Sequence, residues 1–306
     1  MTQLVECIPN FSEGRRMDVV QGIAEAIASA GAQVLNVNLD ADHHRSVVTF
    51  IGSPDTVVEG MLRGAAVALR EIDIRAHTGV HPRIGAVDVV PFVPLRNISL
   101  EACVALAHTF GARAAQSFSV PVYYYESAAR QADRVNLAHV RQGGFESLRD
   151  GIGHDPRWHP DEGPSLVGTG GGMIVGARGP LIAFNVYLST RDVSIAREIA
   201  LAIRESGGGL RAVKALGLLV DGRAQVSMNL TDFRVNGLFE VMTRLHELAA
   251  SYGVQVTESE LIGLTPRAAL ADYAFKSLRL PQGARAQILE DRIGEITNDY
   301  SECIFE

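Results

Sequence analysis

The sequence predicts an α/β protein of the α+β kind, built as two tandem split-βαβ lobes, and three observations carry that prediction. At 306 residues the chain exceeds the usual span of one hydrophobic core, so two packed lobes are expected. The order of apolar patterns in the first third, strand–helix–strand–strand–helix–strand, recurs in the second half with different residues. Hydrophobic residues make up 47% of the chain and charged residues 21%, the balance of a folded globular protein rather than a disordered one.

In the first lobe, period-2 and short apolar runs place strands near 4–8, 33–39, 47–51 and 86–92. A helix is expected over 17–30, where Val20, Ile23, Ile27 and Ala30 share one face and Gly31 ends the run. Ser53-Pro54 starts a second helix reaching about residue 72, because serine caps a helix and proline fits its first turn. The second lobe repeats the order with strand 181–188, helix 192–206, strands 213–220 and 225–230, helix 238–252 and strand 254–259. Each lobe then forms a mostly antiparallel, ferredoxin-like sheet with both helices on one face, and a cleft between the lobes is the natural ligand site.

Between the lobes lie a helix at 100–118, a strand at 120–125, a stretch rich in Gly, Pro, His and Asp over 151–172, and a strand-like run at 173–177. Loops of that length in compact proteins are usually functional or disordered. Trp158 and the Pro/Gly content favour an ordered, substrate-covering loop. The lobe boundary falls at Arg178-Gly179, giving domains 1–178 and 179–306.

The N-terminus lacks a basic region followed by an apolar core, and no apolar stretch is long enough to span a bilayer, so a cytoplasmic protein without a membrane partner is expected. A net charge of −7 without a Lys/Arg cluster argues against nucleic acid. Cys7, Cys103 and Cys303 are odd in number and far apart, which indicates neither a disulfide framework nor a zinc site. They are expected as small buried apolar residues.

Three segments carry chemistry. His77-Thr78-Gly79-Val80-His81-Pro82-Arg83 opens the block 77–94, and its glycine and proline keep it out of regular structure. Loop histidines near a strand are acid–base candidates, since an unperturbed imidazole titrates near neutrality; hydrogen bonding of His77 and His81 to turn carbonyls is the alternative. The His-x-x-x-His spacing resembles a zinc site only on a helix, which Gly79 and Pro82 oppose.

The second segment, 36–46, packs Asp40, Asp42, His43, His44 and Arg45 into one β–β turn. Such a set could orient a catalytic histidine or bind the ends of an amino-acid substrate, or it could be a charged, solvated hairpin. The third is Gly163-Pro164-Ser165-Leu166-Val167-Gly168-Thr169-Gly170-Gly171-Gly172. Its glycines permit close backbone approach to a flat or anionic ligand, yet no Gly-Lys-Ser/Thr follows as a phosphate loop requires, and a flexible linker has the same composition.

Taken together these segments resemble the glutamate formimidoyltransferase family from end to end. Leu4-Val5-Glu6-Cys7-Ile8-Pro9-Asn10-Phe11-Ser12-Glu13-Gly14 is similar to the family's opening signature, and 77–94 to its H-x-G-x-H-P-R-x-G-A-x-D-x-x-P-F-x-P block. Gly163-Pro164-Ser165, Gly176-Ala177-Arg178 with Leu181-Ile182-Ala183-Phe184-Asn185, and Gln225-Val226-Ser227-Met228-Asn229-Leu230 agree as well.

The resemblance implies two α/β subdomains with folate in the cleft between them. It implies transfer of a formimidoyl group from N-formimidoyl-L-glutamate to tetrahydrofolate, a co-substrate, in histidine degradation, with no metal and with a cytoplasmic homodimer as the working form. His81 matches the catalytic histidine and Gly163 to Gly172 the folate-contacting loop. Some relatives carry an aspartate where this chain has Asn38, so the carboxylate supporting His81 is expected from Asp40 or Asp42, or is missing. His44, Arg45, His77, Arg83 and Asp88 are candidate substrate ligands, the arginines because their fork suits carboxylates. Because the chain ends at Glu306, a separate cyclodeaminase is expected to act on the product. Another donor, such as N-formyl-L-glutamate or formimidoylglycine, or a sensor without chemistry, are the competing readings.

Overall fold

A computed structural model describes residues 3–79, 82–290 and 292. The chain divides into two compact units, Met1–Pro180 and Leu181–Glu306. In chain order the first holds β1 (Leu4–Cys7), β2 (Asn10–Phe11), α1 (Met17–Ala28), β3 (Gln33–Asp40), β4 (Arg45–Gly52), α2 (Pro54–Glu71), β5 (Val87–Arg96), α3 (Leu100–Phe118), β6 (Val122–Glu126), the short helices α4 (Leu137–Val140) and α5 (Gly144–Gly151), and β7 (Met173–Ala177).

Local chemistry accounts for the main helices. Ser53 Oγ accepts the Thr56 N–H at 3.3 Å and Pro54 opens α2. Ser99 Oγ caps α3 by accepting from Ala102 at 3.1 Å. Val20, Ile23 and Ile27 of α1 are fully buried, as their spacing predicts, whereas the helix stops before Ala30.

The strands of this unit form one seven-stranded mixed sheet. β3 pairs with β4, β4 with both β1 and β2, and these with β5, all antiparallel. β7 then lies parallel between β5 and β6. Side chains alternate across β6: Val122 and Tyr124 join the helical core with Phe50, Phe92 and Phe110, while Tyr123 and Tyr125 join a second core with Leu148 and Trp158. Both faces are therefore covered, α1 to α3 on one side and the segment 137–158 on the other. Each fully buried Phe contributes roughly 1.5–3 kcal/mol. The stretch 151–172, expected as a loop, begins at the end of α5 and contains one 3₁₀ turn, Pro156–Trp158, whose indole is 1% exposed.

The second unit holds β8 (Ile182–Leu188), α6 (Val193–Ile203), β9 (Val213–Val220), β10 (Arg223–Leu230), α7 (Leu238–Ser251), β11 (Val256–Ile262) and α8 (Arg267–Ser277), the last not anticipated. Its four strands are antiparallel in the order β11-β8-β10-β9. Phe184, Val186, Val226 and Met228 pack with Ile199, Ile203 and Leu245 of the helices into a separate core. Asp221 and Gly222, with φ of 50° and 70°, close the β9–β10 hairpin in the left-handed conformation that a two-residue turn requires.

Among the described residues no helix is long and apolar enough to cross a membrane. Cys7 and Cys103 are buried and free, and Cys303 lies outside the described residues.

Candidate active site

The turn between β3 and β4 is built by its own side chains. Asp40 pairs with Arg45 as the last rung of the ladder, and its Oδ1 accepts the N–H groups of Asp42 at 3.0 Å and His43 at 2.8 Å. Asp40 Oδ2 meets His43 Nδ1 at 2.5 Å. This hydrogen bond lifts the His43 imidazole above its ordinary value; burial pushes the Asp40 carboxyl up, but the bonds from His43 outweigh it and hold it low. Asp42 is exposed, and Asn38 sits half-buried opposite Val47.

His44, at φ 49°, turns its ring onto that of His77, with centroids 4.3 Å apart. Its Nδ1 donates to the Thr78 carbonyl at 2.9 Å and its Nε2 lies 3.3 Å from Glu13 Oε1. Gly14 lets the segment carrying Glu13 reach the turn, since a Cβ there would come within 2.0 Å of the Asp40 oxygen. Glu13 is 2% exposed. Burial pushes its carboxyl up, yet the N–H groups of Arg16 and Arg15 and the Arg16 guanidinium outweigh that and keep it below its usual range.

His77 has a defined tautomer. Arg83 Nε donates to its Nδ1 at 3.1 Å, so that nitrogen is bare, and Nε2 faces the His44 carbonyl at 2.8 Å, so Nε2 carries the proton. Burial pushes this imidazole below its ordinary value; the hydrogen bond to the His44 carbonyl opposes that, and the charges of the His44 ring and Arg83 add to it. Ser12, Glu13, His44 and His77, together with the end of α2, line an open cavity of about 380 Å³.

Asp88 is fully buried under this region. Its Oδ2 accepts from Arg45 Nη1 and Arg141 Nη2, both at 2.7 Å, and its Oδ1 from the Ile84 N–H at 2.8 Å. Arg45 also donates from Nε and Nη2 to Asn10 Oδ1 at 3.0 and 2.9 Å. Burial pushes the Asp88 carboxyl up, and the charges of Arg141 and Arg45 overcome that and hold it below the normal range; burial and Arg141 bring Arg45 down to about 10. Arg83 forms a fork on Glu146, at 2.9 and 2.8 Å.

The glycine-rich segment lies against the same block. Gly85 bridges Gly171, Ala86 N–H donates to the Gly170 carbonyl at 2.8 Å, and Ile74 N–H to that of Thr169 at 2.9 Å. A Cβ on Gly85 would sit 1.9 Å from the Gly172 oxygen, so only glycine admits this seam. Gly163, at φ 85°, anchors the other end against the Val120 carbonyl, and Ser165, Leu166 and Gly168 between them are exposed.

The structure thus joins 36–46 to 77–79 through the stacked histidines, and 84–86 to 169–172 through the glycine seam. His81 lies outside the described residues. Among the described residues no three His, Cys, Asp or Glu side chains converge on a metal position. Sequence reasoning had assigned no role to Asn10, Glu13, Arg141 or Glu146. The first two lie in the opening signature; Arg141 follows the four-residue α4 and Glu146 lies on α5, helices too short to show a period.

The pattern of the formiminotransferase domain, N-terminal subdomain, matches residues 4–178, and that of the formiminotransferase domain matches 183–284. A "Glutamate formimidoyltransferase" of Thermoplasma acidophilum is 43% identical over 300 residues, covering 96% of this chain and 99% of the relative. One from Streptococcus pyogenes serotype M1 is 40% identical over 96% of this chain and 99% of its own length. A "Formimidoyltransferase-cyclodeaminase" of Sus scrofa is 44% identical over 90% of this chain but only 52% of its own length.

Proposed function

The chain belongs to the formiminotransferase family, and from that premise we propose that it transfers the formimidoyl group of N-formimidoyl-L-glutamate to N5 of tetrahydrofolate, its co-substrate, releasing L-glutamate. One observation carries the reading beyond sequence likeness: the 36–46 turn and residues 77–79 meet through the stacked rings of His44 and His77, which line a cavity of about 380 Å³, and the glycine-rich segment is seamed to the same 77–94 block at Gly85.

In the reaction N5 attacks the amidine carbon, a new C–N bond forms, and the bond to the glutamate nitrogen breaks. The proton that leaves N5 passes to an imidazole and returns to the departing nitrogen. His81, in the His-Pro-Arg triplet, is the residue assigned to that shuttle, an assignment that rests on the resemblance. Such a group contributes roughly 10²- to 10⁴-fold in rate, and holding both substrates together removes a further entropic barrier.

The donor belongs beside Glu13, His44 and His77, and the exposed stretch within 163–172 belongs to folate. Asn38, Asp40 and Asp42 are the candidate supports for His81. Asp88 and Arg45 act through the framework beneath, because each is already paired within the protein. The four strands of the second unit lie in the order fourth, first, third, second, and β1, β3, β4 and β5 of the first unit follow the same order, with β2, β6 and β7 added to that sheet, which supports the split-βαβ reading of subdomains 1–178 and 179–306. A cytoplasmic homodimer completes the proposal.

The test is to incubate the purified protein with tetrahydrofolate and N-formimidoyl-L-glutamate and to follow glutamate and formimidoylated folate by mass spectrometry. Product from the wild type, reduced roughly 10²- to 10⁴-fold in His81→Ala, is expected. Turnover only with N-formyl-L-glutamate or formimidoylglycine would reassign the donor, and folate binding without turnover would make the protein a sensor.

A further inference from the structure

Arg83 touches more of the site's framework than any substrate ligand needs to. Its side chain is 14% exposed, and four of its five N–H groups are in use: Nε on His77 Nδ1 at 3.1 Å, Nη2 on the His77 carbonyl at 3.2 Å, and one each from Nη1 and Nη2 on the Glu146 carboxylate. Its own carbonyl accepts the Phe145 N–H at 2.8 Å, and a Cβ on Gly144 would already lie 3.4 Å from that oxygen. One N–H remains. A bidentate grip on a substrate carboxylate needs two parallel donors, and Arg83 can offer them only by releasing Glu146.

Residues 78 and 79 are held independently. Thr78 gives its carbonyl to His44, and Gly79 lies so close to the turn that a Cβ would come within 2.7 Å of the His43 oxygen. Residues 77–79 are therefore fixed to the β3–β4 turn and residue 83 to α5, and the Arg83 side chain joins the two.

We propose that Arg83, clamped by Glu146, is a positioning residue for the transfer reaction: it ties residues 77–79, held on the β3–β4 turn, to α5 and fixes the Nε2–H tautomer of His77. The proposal deepens the transferase reading and rests on it. Lysine cannot do this work, because one ammonium cannot engage a carboxylate bidentately while also donating to an imidazole and a carbonyl in the same plane. Glu146 is 54% exposed, and exposed ion pairs add little to stability, so a variant there should fold normally.

Three proteins decide the matter: wild type, Arg83→Lys and Glu146→Gln, each measured for kcat and for the KM of both substrates, with ¹⁵N spectra of the histidine rings in the resting protein. Positioning predicts kcat lower by about 10²-fold in R83K, the scale of a small misplacement of reacting groups, and by about 10-fold in E146Q, with both KM values within about twofold of wild type. It also predicts a bare Nδ1 on His77 in the wild type and a mixture of tautomers in R83K. A rise in the KM for the donor with kcat intact would overturn the proposal in favour of substrate binding, and unchanged kinetics in both variants would overturn it in favour of a structural ion pair. Absence of turnover in the wild type would instead remove the transferase reading and the kinetic role with it, while the spectra still report whether Arg83 sets the tautomer.

Discussion

The imidazole of His44 lies flat on that of His77, the planes 12° from parallel, so the two rings form one wall of the cavity and each sets the environment of the other. Burial and the neighbouring ring both hold His77 below its ordinary value. His44→Ala relieves both, so His77 should titrate closer to about 6.5, the unperturbed value, in an NMR titration. The sign follows for stability. Where the unfolded chain binds the His77 proton more readily than the folded one, acidification favours unfolding. The wild type should lose this increment as pH falls through the ordinary imidazole range, and H44A should lose less of it.

The Asp40–His43 pair predicts a window of the opposite kind. His43 is raised in the folded state, so its contribution is complete below about pH 6.5 and disappears as pH rises through the raised value. Asp40 is lowered, so its contribution is complete above about pH 3.9 and disappears as pH falls through the lowered value. The stability difference between wild type and His43→Ala should be largest between those limits and small near pH 9, as measured by thermal unfolding across pH.

Asp88→Asn should be among the most destabilising single changes in the first unit. It removes the charge that two guanidiniums share at 2.7 Å in a fully buried position. Removing one partner of a buried pair typically costs about 3–5 kcal/mol, because the remaining charge stays desolvated. Urea unfolding would register this as a lower midpoint with an unchanged slope.

Two glycines of one loop should behave oppositely. Gly171 has φ 70°, and a Cβ on it would meet the Ile84 oxygen at 2.3 Å, so Gly171→Ala should cost well over about 1 kcal/mol and disturb the seam with Gly85. Gly168 has nothing within 4 Å of such an atom. Gly168→Ala should leave stability within about 0.5 kcal/mol of wild type, and any effect on KM for tetrahydrofolate would then report ligand contact alone.

Most regular elements were legible because their signals are local. The strand at 213–220 and the helix at 100–118 have the limits that periodicity and capping assign, and Ser53-Pro54 begins α2 as expected. The sequence order of β6 and β7 was readable, but not that β7 would lie between β6 and β5, since register with distant strands leaves no local trace. The same limit applies to the site. His77 and the 36–46 turn stand out by composition. The partners that define their chemistry, Glu13, Arg141 and Glu146, are brought in from distant segments by polar side-chain contacts, and an isolated Glu or Arg in a polar stretch looks like any solvated residue.

The position of β7 also bears on how the chain is made. A ribosome delivers β6 first and then the whole segment from 127 to 172 before the first residue of its strand neighbour β7, Met173, emerges. Nascent domains begin to fold during synthesis. Throughout that interval β6, with Tyr123 and Tyr125 on the face later closed by Trp158, has no strand partner, and one edge of β5 is open. Unpaired apolar edges of this kind invite pairing with other chains. A fragment ending at Gly172 should therefore aggregate where one ending at Pro180 folds, and any slowing of translation between those two points should lengthen the chain's dependence on chaperones.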